Sequence, residues 1–206
     1  MPDQGLLLVV SGPSGCGKGT VCARLLEMMP GIKLSVSATT RMPRAGETEG
    51  VSYYYKTIEQ FDTMIQRDEL LEHAHVYGNY YGTPRKAVEE IIINGRDVLL
   101  EIEMQGAGMV RQKYPSGIFI FILPPSIAEL EKRLLGRGSE TAESFRRRMG
   151  NVIHELGRMD EYDYAVVNDN VDKAAGAICG IIAAEKARVH RMQNLKTKLI
   201  KEVENR

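Results

Sequence analysis

Four short segments each enclose a nearly continuous apolar run bounded by turn or polar residues: GLLLVVSG (Gly5–Gly12), RDVLLEIE (Arg96–Glu103), GIFIFILPP (Gly117–Pro125) and DYAVVNDN (Asp163–Asn170). A strand with one face in water alternates, whereas a strand covered on both faces is apolar throughout, as in parallel sheets. Helical patterns separate the runs, among them TVCARLLEMM, SIAELEKRLL and KAAGAICGIIAAEKARVHRMQNLKTKLIKEV, the last reading as one long C-terminal helix. Strand alternating with helix predicts an α/β fold on a parallel sheet covered by helices. At 206 residues, one compact unit is expected.

Two stretches break this rhythm. Residues 35–83 are rich in Thr, Tyr, Gly and charge, and the alternation in VSYYYKT and LLEHAHVYGNYYG suits an antiparallel sheet solvated on one face. They read as an inserted lobe, which leaves 1–34, 84–135 and 159–206 as core. Residues 136–158, GRGSETAESFRRRMGNVIHELGR, open with glycines and carry a basic helical stretch, the makings of a mobile lid.

Lys+Arg and Asp+Glu both number 27, so no overall field draws nucleic acid or an anionic membrane, and anion sites must come from local clusters. Cys16, Cys22 and Cys179 are odd in number and without CxxC spacing, which argues against a disulfide framework or a zinc site. The opening MPDQGLLLVV has no basic segment or cleavage site, and no apolar run approaches the roughly 20 residues of a membrane span. A cytoplasmic protein is expected.

The strongest chemical signal is SGPSGCGKGT. Gly12-x-x-x-x-Gly17-Lys18 follows an apolar strand and opens an amphipathic helix, the context of a phosphate-binding P-loop. Here Gly12, Pro13, Ser14, Gly15, Cys16, Gly17, Lys18, Gly19 and Thr20 would cradle the phosphates of a nucleotide with a helix dipole, the lysine charge and the backbone N–H groups that all of them but Pro13 carry. The commoner loop carries a Mg²⁺-ligating hydroxyl directly after the lysine. In this chain Gly19 stands there, and Thr20 lies about 100° further round the helix. Thr20 would then face a phosphate oxygen, and Mg²⁺, which dehydrates reluctantly, would be held mainly by phosphates and waters rather than by protein ligands.

Arg41 and Arg44 are three residues apart in a loop stiffened by Pro43 and turned by Gly46. Two converging guanidinium groups with a Tyr hydroxyl would fix a dianionic monophosphate; a solvated polar loop is the alternative use of the same residues.

SATTRMPRAGETEGVSYYY (residues 37–55) resembles the guanylate kinase signature. The similarity continues in order through LLEHAHVYGNYYGT, VLLEIEMQGA, LEKRLLGRGSETAES and AVVNDN, and the GKGT ending resembles nucleoside monophosphate kinases. The resemblance implies a P-loop NTPase-type core with an inserted small mixed α/β GMP-binding lobe and a helical lid, and transfer of the ATP γ-phosphoryl to GMP with Mg²⁺ accompanying ATP. It further implies that Arg41, Arg44, Tyr53 and Tyr81 hold the GMP phosphate, and that Ser37, Glu72 and Thr83 read the guanine. Arg133, Arg137 and Arg148 would close over the phosphates, and Lys18, Arg41, Arg137 and Arg148 would stabilise the transferring group.

Glu101 and Glu103, two apart at the carboxyl end of a strand, either steady Mg²⁺ through water, contact the guanosine, or form a solvated strand end. The family commonly has aspartates in this stretch. Asn168 either meets the adenine of ATP, as the resemblance implies, or shapes a turn. Two rival readings are a non-catalytic interaction module of the same fold and a kinase for another nucleoside monophosphate. The C-terminal helix has small and apolar residues enough for a homo-oligomer contact, and core packing accounts for them equally well.

Overall fold

The computed structural model describes residues 4–76, 78–135 and 142–205. From the amino end, β1 (Leu7–Ser11) leads through the glycine-rich loop into α1 (Lys18–Met28), and β2 (Lys33–Leu34) follows. The chain then forms β3 (Ala38–Thr39), β4 (Tyr54–Tyr55), α2 (Ile58–Gln66), β5 (Leu70–Val76) and β6 (Asn79–Pro84). Next come α3 (Arg85–Ile93), β7 (Val98–Glu101), α4 (Met104–Lys113), β8 (Ile118–Leu123) and α5 (Ile127–Leu135). Last are α6 (Ala142–Gly157), β9 (Tyr164–Val167), α7 (Val171–Lys186) and α8 (Gln193–Glu204).

Five strands make an all-parallel sheet in the order β2-β7-β1-β8-β9. Successive side chains of a strand point to opposite faces. Leu8 and Val10 of β1 therefore join Leu25 of α1 and Ile178 of α7, whereas Leu7 and Val9 join Val88 and Ile92 of α3 and Val110 of α4. In β1, β7 and β8 both faces are buried, which is the physical origin of their unbroken apolar runs, each such side chain gaining about 1.5–3 kcal/mol from burial; β9, at the sheet edge, departs from the sequence reading, with Ala165 and Val167 exposed.

The second sheet, β4-β3-β6-β5, lies within residues 38–84 and is roofed by α2, whose Phe61 packs with Ala38 and Leu70. The sequence TIEQ starts α2 with a capping box: Thr57 Oγ1 accepts from Gln60 N, and Gln60 Oε1 accepts from Thr57 N. α6 packs on α5 through Val152 against Leu130 and Leu134.

Three further features depart from the sequence reading. β2 is a fifth strand of the main sheet, and its two exposed residues give no apolar signal. In the second sheet β3 and β4 run parallel, because the chain loops from Thr39 back past Glu49 and re-enters beside β3 in the same direction. The C-terminal helix is broken: α7 stops at Lys186, Val189–Arg191 form a single 3-10 turn, and α8 starts afresh at Gln193. The bend brings Arg188 Nε to 3.1 Å from buried Glu185, while Lys186 Nζ reaches Asp97 at 2.6 Å. Ion pairs hold this break, with no glycine or proline between Lys186 and Gln193 to mark it.

Candidate active site

β1 delivers the chain into the loop, where Gly12, Gly15 and Gly17 adopt φ of 149°, 88° and 91°, a region that favours glycine. Close approach forbids side chains as well: a Cβ at Gly12 would lie 2.3 Å from Ile122 O, and one at Gly17 2.4 Å from Asn168 Nδ2. α1 begins with no side-chain cap and no acidic residue in its first turn, so its leading N–H groups and the positive end of its dipole face the loop without an internal competitor. Lys18 Nζ donates to Gly12 O at 2.7 Å, which holds the ammonium over the loop mouth. Gly19 also has a reason: a Cβ there would come within 3.3 Å of Glu101 Oε1, tighter than ordinary contact. Thr20 is exposed on the first turn of α1.

The loop is braced from behind. Cys16 O accepts from Asn168 Nδ2 at 2.8 Å and from Arg133 Nη1 at 3.2 Å, while Arg133 Nη2 donates to Asn168 O and its Nε to Glu129. Asn168 is buried, and its side-chain amide is given to the loop.

Facing the loop is a cleft of about 300 Å³ whose lining includes Lys18, Ser37, Tyr53, Glu72, Tyr81, Glu101 and Glu103. The two sheets thus bring seven of the predicted residues to one place. Glu72 of β5 is only 5% exposed, and its Oε1 accepts from Thr83 Oγ1 of β6 at 2.7 Å. Burial pushes the Glu72 carboxyl up to about 7; the Thr83 hydrogen bonds oppose this and the charge of Glu103 reinforces it. Burial likewise raises Glu101, against the pull of Lys18.

Arg41 stands behind the cleft wall, its guanidinium carbon 5.3 Å from the centroid of the Tyr53 ring, which itself packs 6.0 Å from Tyr81. Glu47 fixes it: Arg41 Nη2 donates to both carboxylate oxygens at 2.8 and 3.0 Å, and Arg41 Nη1 donates to Met42 O. The same carboxylate accepts from Arg44 N and from Tyr55 OH, and Arg41 holds it well below the usual range, to about 2. The Arg44 side chain is exposed at the lobe surface. Glu47 belongs to the motif that the sequence displays, but its partners became visible only in the fold. Glu47→Gln keeps the shape and discards the charge that anchors Arg41. The KM of the monophosphate acceptor is expected to rise about tenfold, with a smaller change in kcat; initial rates over an acceptor series check this.

A second cavity, of about 750 Å³, opens between the loop and α6 and is lined in part by Ser14, Glu103, Arg148, His154 and Glu155. Arg148 therefore faces the loop from the predicted lid. Arg137, the other lid arginine singled out from sequence, lies outside the described residues. Glu155 Oε2 accepts from Ser14 N at 3.3 Å, a contact with a loop donor that no motif advertised.

A glycine loop aimed at phosphates, with an acid-lined acceptor cleft beside its lysine, defines a P-loop phosphotransferase of the α/β class. Comparison with known proteins takes the assignment further: residues 4–185 match the family profile described as guanylate kinase, and the chain belongs to that family. It is 53% identical over 194 residues to a guanylate kinase of Clostridium acetobutylicum, covering 94% of this chain and 92% of that one. It is 52% identical over 189 residues to one from Desulfitobacterium hafniense, covering 92% and 94%. The crystal structure of guanylate kinase from Anaplasma phagocytophilum superposes with a TM-score of 0.74 at 35% identity, covering 93% of this chain and 91% of that one. Among the described residues, no helix is long and apolar enough to cross a membrane.

Proposed function

We infer that this chain is an ATP:GMP phosphotransferase, moving the γ-phosphoryl of ATP to GMP and releasing ADP and GDP. The observation that carries the reading is the shared cleft, in which the cation of the phosphate loop stands beside a buried carboxylate and two tyrosines. ATP lies along Gly12 to Thr20, with Arg133 and Asn168 stiffening the loop beneath it. Asn168 is buried with its amide on Cys16 O, so its part is to shape the loop rather than to meet the adenine.

GMP enters from the lobe. Guanine presents N1–H and an exocyclic NH₂ side by side, and one ionised carboxylate, Glu72, accepts from both. Because Thr83 commits its proton to Glu72, Ser37 is the hydroxyl left to donate to O6. Arg41, Tyr53 and Tyr81 hold the phosphate, and Arg44 joins them as residues 35–83 close toward the loop, with Arg148 and Arg137 supplied by the lid, residues 136–158. An oxygen of the GMP phosphate then bonds the γ-phosphorus as the bond to the β,γ-bridging oxygen breaks. The attacking oxygen is already anionic, so the chain's work is alignment, charge stabilisation and exclusion of water.

The donor set fits Mg²⁺ arriving with ATP. Glu101 offers hard carboxylate oxygens against the first turn of α1, and no group of three or more His, Cys, Asp or Glu among the described residues forms a cage that would strip its waters. Bound there, the ion would neutralise phosphate charge, steadied by Glu101 and, through its waters, Glu103. The three cysteines are unpaired, which suits the cytoplasmic setting we propose. The complete loop and its lysine weigh against a purely scaffolding role.

A coupled assay of ADP release with GMP, AMP, UMP and CMP tests the reading. GMP is expected to exceed each of the others by about 10²-fold or more in kcat/KM. Equal use of AMP would remove the guanine assignment, and silence with all four would remove the activity.

A further inference from the structure

The guanine-reading carboxylate is shaped from outside the lobe that carries it. Glu72 projects from β5 toward the core helix α4, and a Cβ built on Gly106 would lie 2.5 Å from Glu72 Oε2, 3.0 Å from its Cδ and 3.2 Å from its Cγ. Gly106 is buried in the first turn of α4 and does not need glycine for its backbone, since its φ is not positive. Space is what requires glycine here.

Glu72 has little freedom to give way. It is 5% exposed, and its other oxygen is tied to Thr83 at 2.7 Å. The neighbouring strand residue Leu71 is 1% exposed and packs in the core with Ala107 of the same helix. α4 begins after Glu103, and its first intrahelical bond is Ala107 N to Glu103 O. The carboxylate thus lies against the turn whose N–H groups carry the positive end of the helix dipole.

We propose that Gly106 is a specificity-determining positioning residue: its missing side chain sets the depth at which the Glu72 carboxylate stands in the acceptor cleft. This rests on the assignment of Glu72 as guanine reader. Gly106→Ala would drive the carboxylate off by the better part of an ångström, and displacements of about 1 Å in such constellations cost on the order of 10²-fold.

The experiment is a cycle of Gly106→Ala and Glu72→Asp, the aspartate withdrawing the carboxylate by one methylene. In the parent chain, Gly106→Ala is expected to raise the KM for GMP about 10- to 100-fold while the KM for ATP stays within twofold. In the Glu72→Asp background the same change is expected to cost several-fold less, because the 2.5 and 3.0 Å approaches are removed and only the 3.2 Å approach at the Cγ position remains. Thermal unfolding of each variant separates misplacement from misfolding, since alanine favours a helix over glycine. Unchanged GMP kinetics in Gly106→Ala would overturn the proposal, as would an equal loss in both backgrounds. If the parent chain itself showed no preference for GMP, the functional reading would fail instead, and the two failures are told apart by that control.

Discussion

Lys18→Ala is expected to lower kcat at saturating ATP and GMP by about 10²–10³-fold or more. The ammonium is the cation placed in the cleft from the phosphate-loop side, and its position is over-determined. It is the first residue of α1, it follows a left-handed Gly17 that no other residue could replace beside Asn168, and its Nζ is 2.7 Å from Gly12 O. A charge fixed in this way acts on the transferring phosphoryl group without reorganisation, whereas water filling the space of a lost side chain would have to orient anew at each turnover. Lys18→Arg is expected to rescue little, since a planar fork is no substitute for a compact ammonium over the loop mouth. Lys18 belongs to none of the apolar clusters, so thermal unfolding of the variants should stay near that of the parent. A purified Lys18→Ala protein within tenfold of the parent rate would remove the loop from the mechanism.

The parts of this site that sequence disclosed are those whose cause is local. The spacing of Gly12, Gly17 and Lys18 between an apolar run and a helix is itself the loop signature, and the apolar runs of β1, β7 and β8 are the direct imprint of a sheet buried on both faces, whereas the run at β9 is an edge strand with Ala165 and Val167 exposed. What sequence withheld depends on distant pairings. Arg133 and Asn168 reach Cys16 O across 117 and 152 residues, and nothing in their own neighbourhoods distinguishes a brace for the loop from an exposed side chain. Glu155 and Gly106 are an unremarked acid and a helix glycine until α6 is set against Ser14 and α4 against Glu72. The split between α7 and α8 was hidden for a related reason, since ion pairs to Glu185 and Asp97 carry no periodicity.

Glu72→Gln is expected to cost GMP dearly and to favour the fold. On the role proposed for Glu72, the parent carboxylate at pH 8 is mostly ionised and would accept from both guanine donors. The amide offers one acceptor and turns an N–H toward a donor, so kcat/KM for GMP should fall about 10³-fold, with the KM for ATP little changed. The pH dependence has a definite sign. With the Glu72 carboxyl at about 7 in the fold against an ordinary 4.5, acid protonates the reader, and kcat/KM for GMP should decline as pH falls below about 7. GMP has its own phosphate titration near pH ~6. The variant, which retains only that, is therefore the control, and its profile should be flatter. Stability runs the other way: between about 4.5 and 7 the folded chain holds a proton that the unfolded chain has lost, so stability decreases with rising pH through that window and levels off above it. Glutamine removes this penalty. At pH 8 the variant is expected to be more stable than the parent by on the order of 1–3 kcal/mol, and at pH 4.5 to match it. Denaturant melts at the two pH values, set beside the rates, would sink the assignment if the parent and the variant kept the same stability difference at both, or if GMP and ATP lost affinity alike.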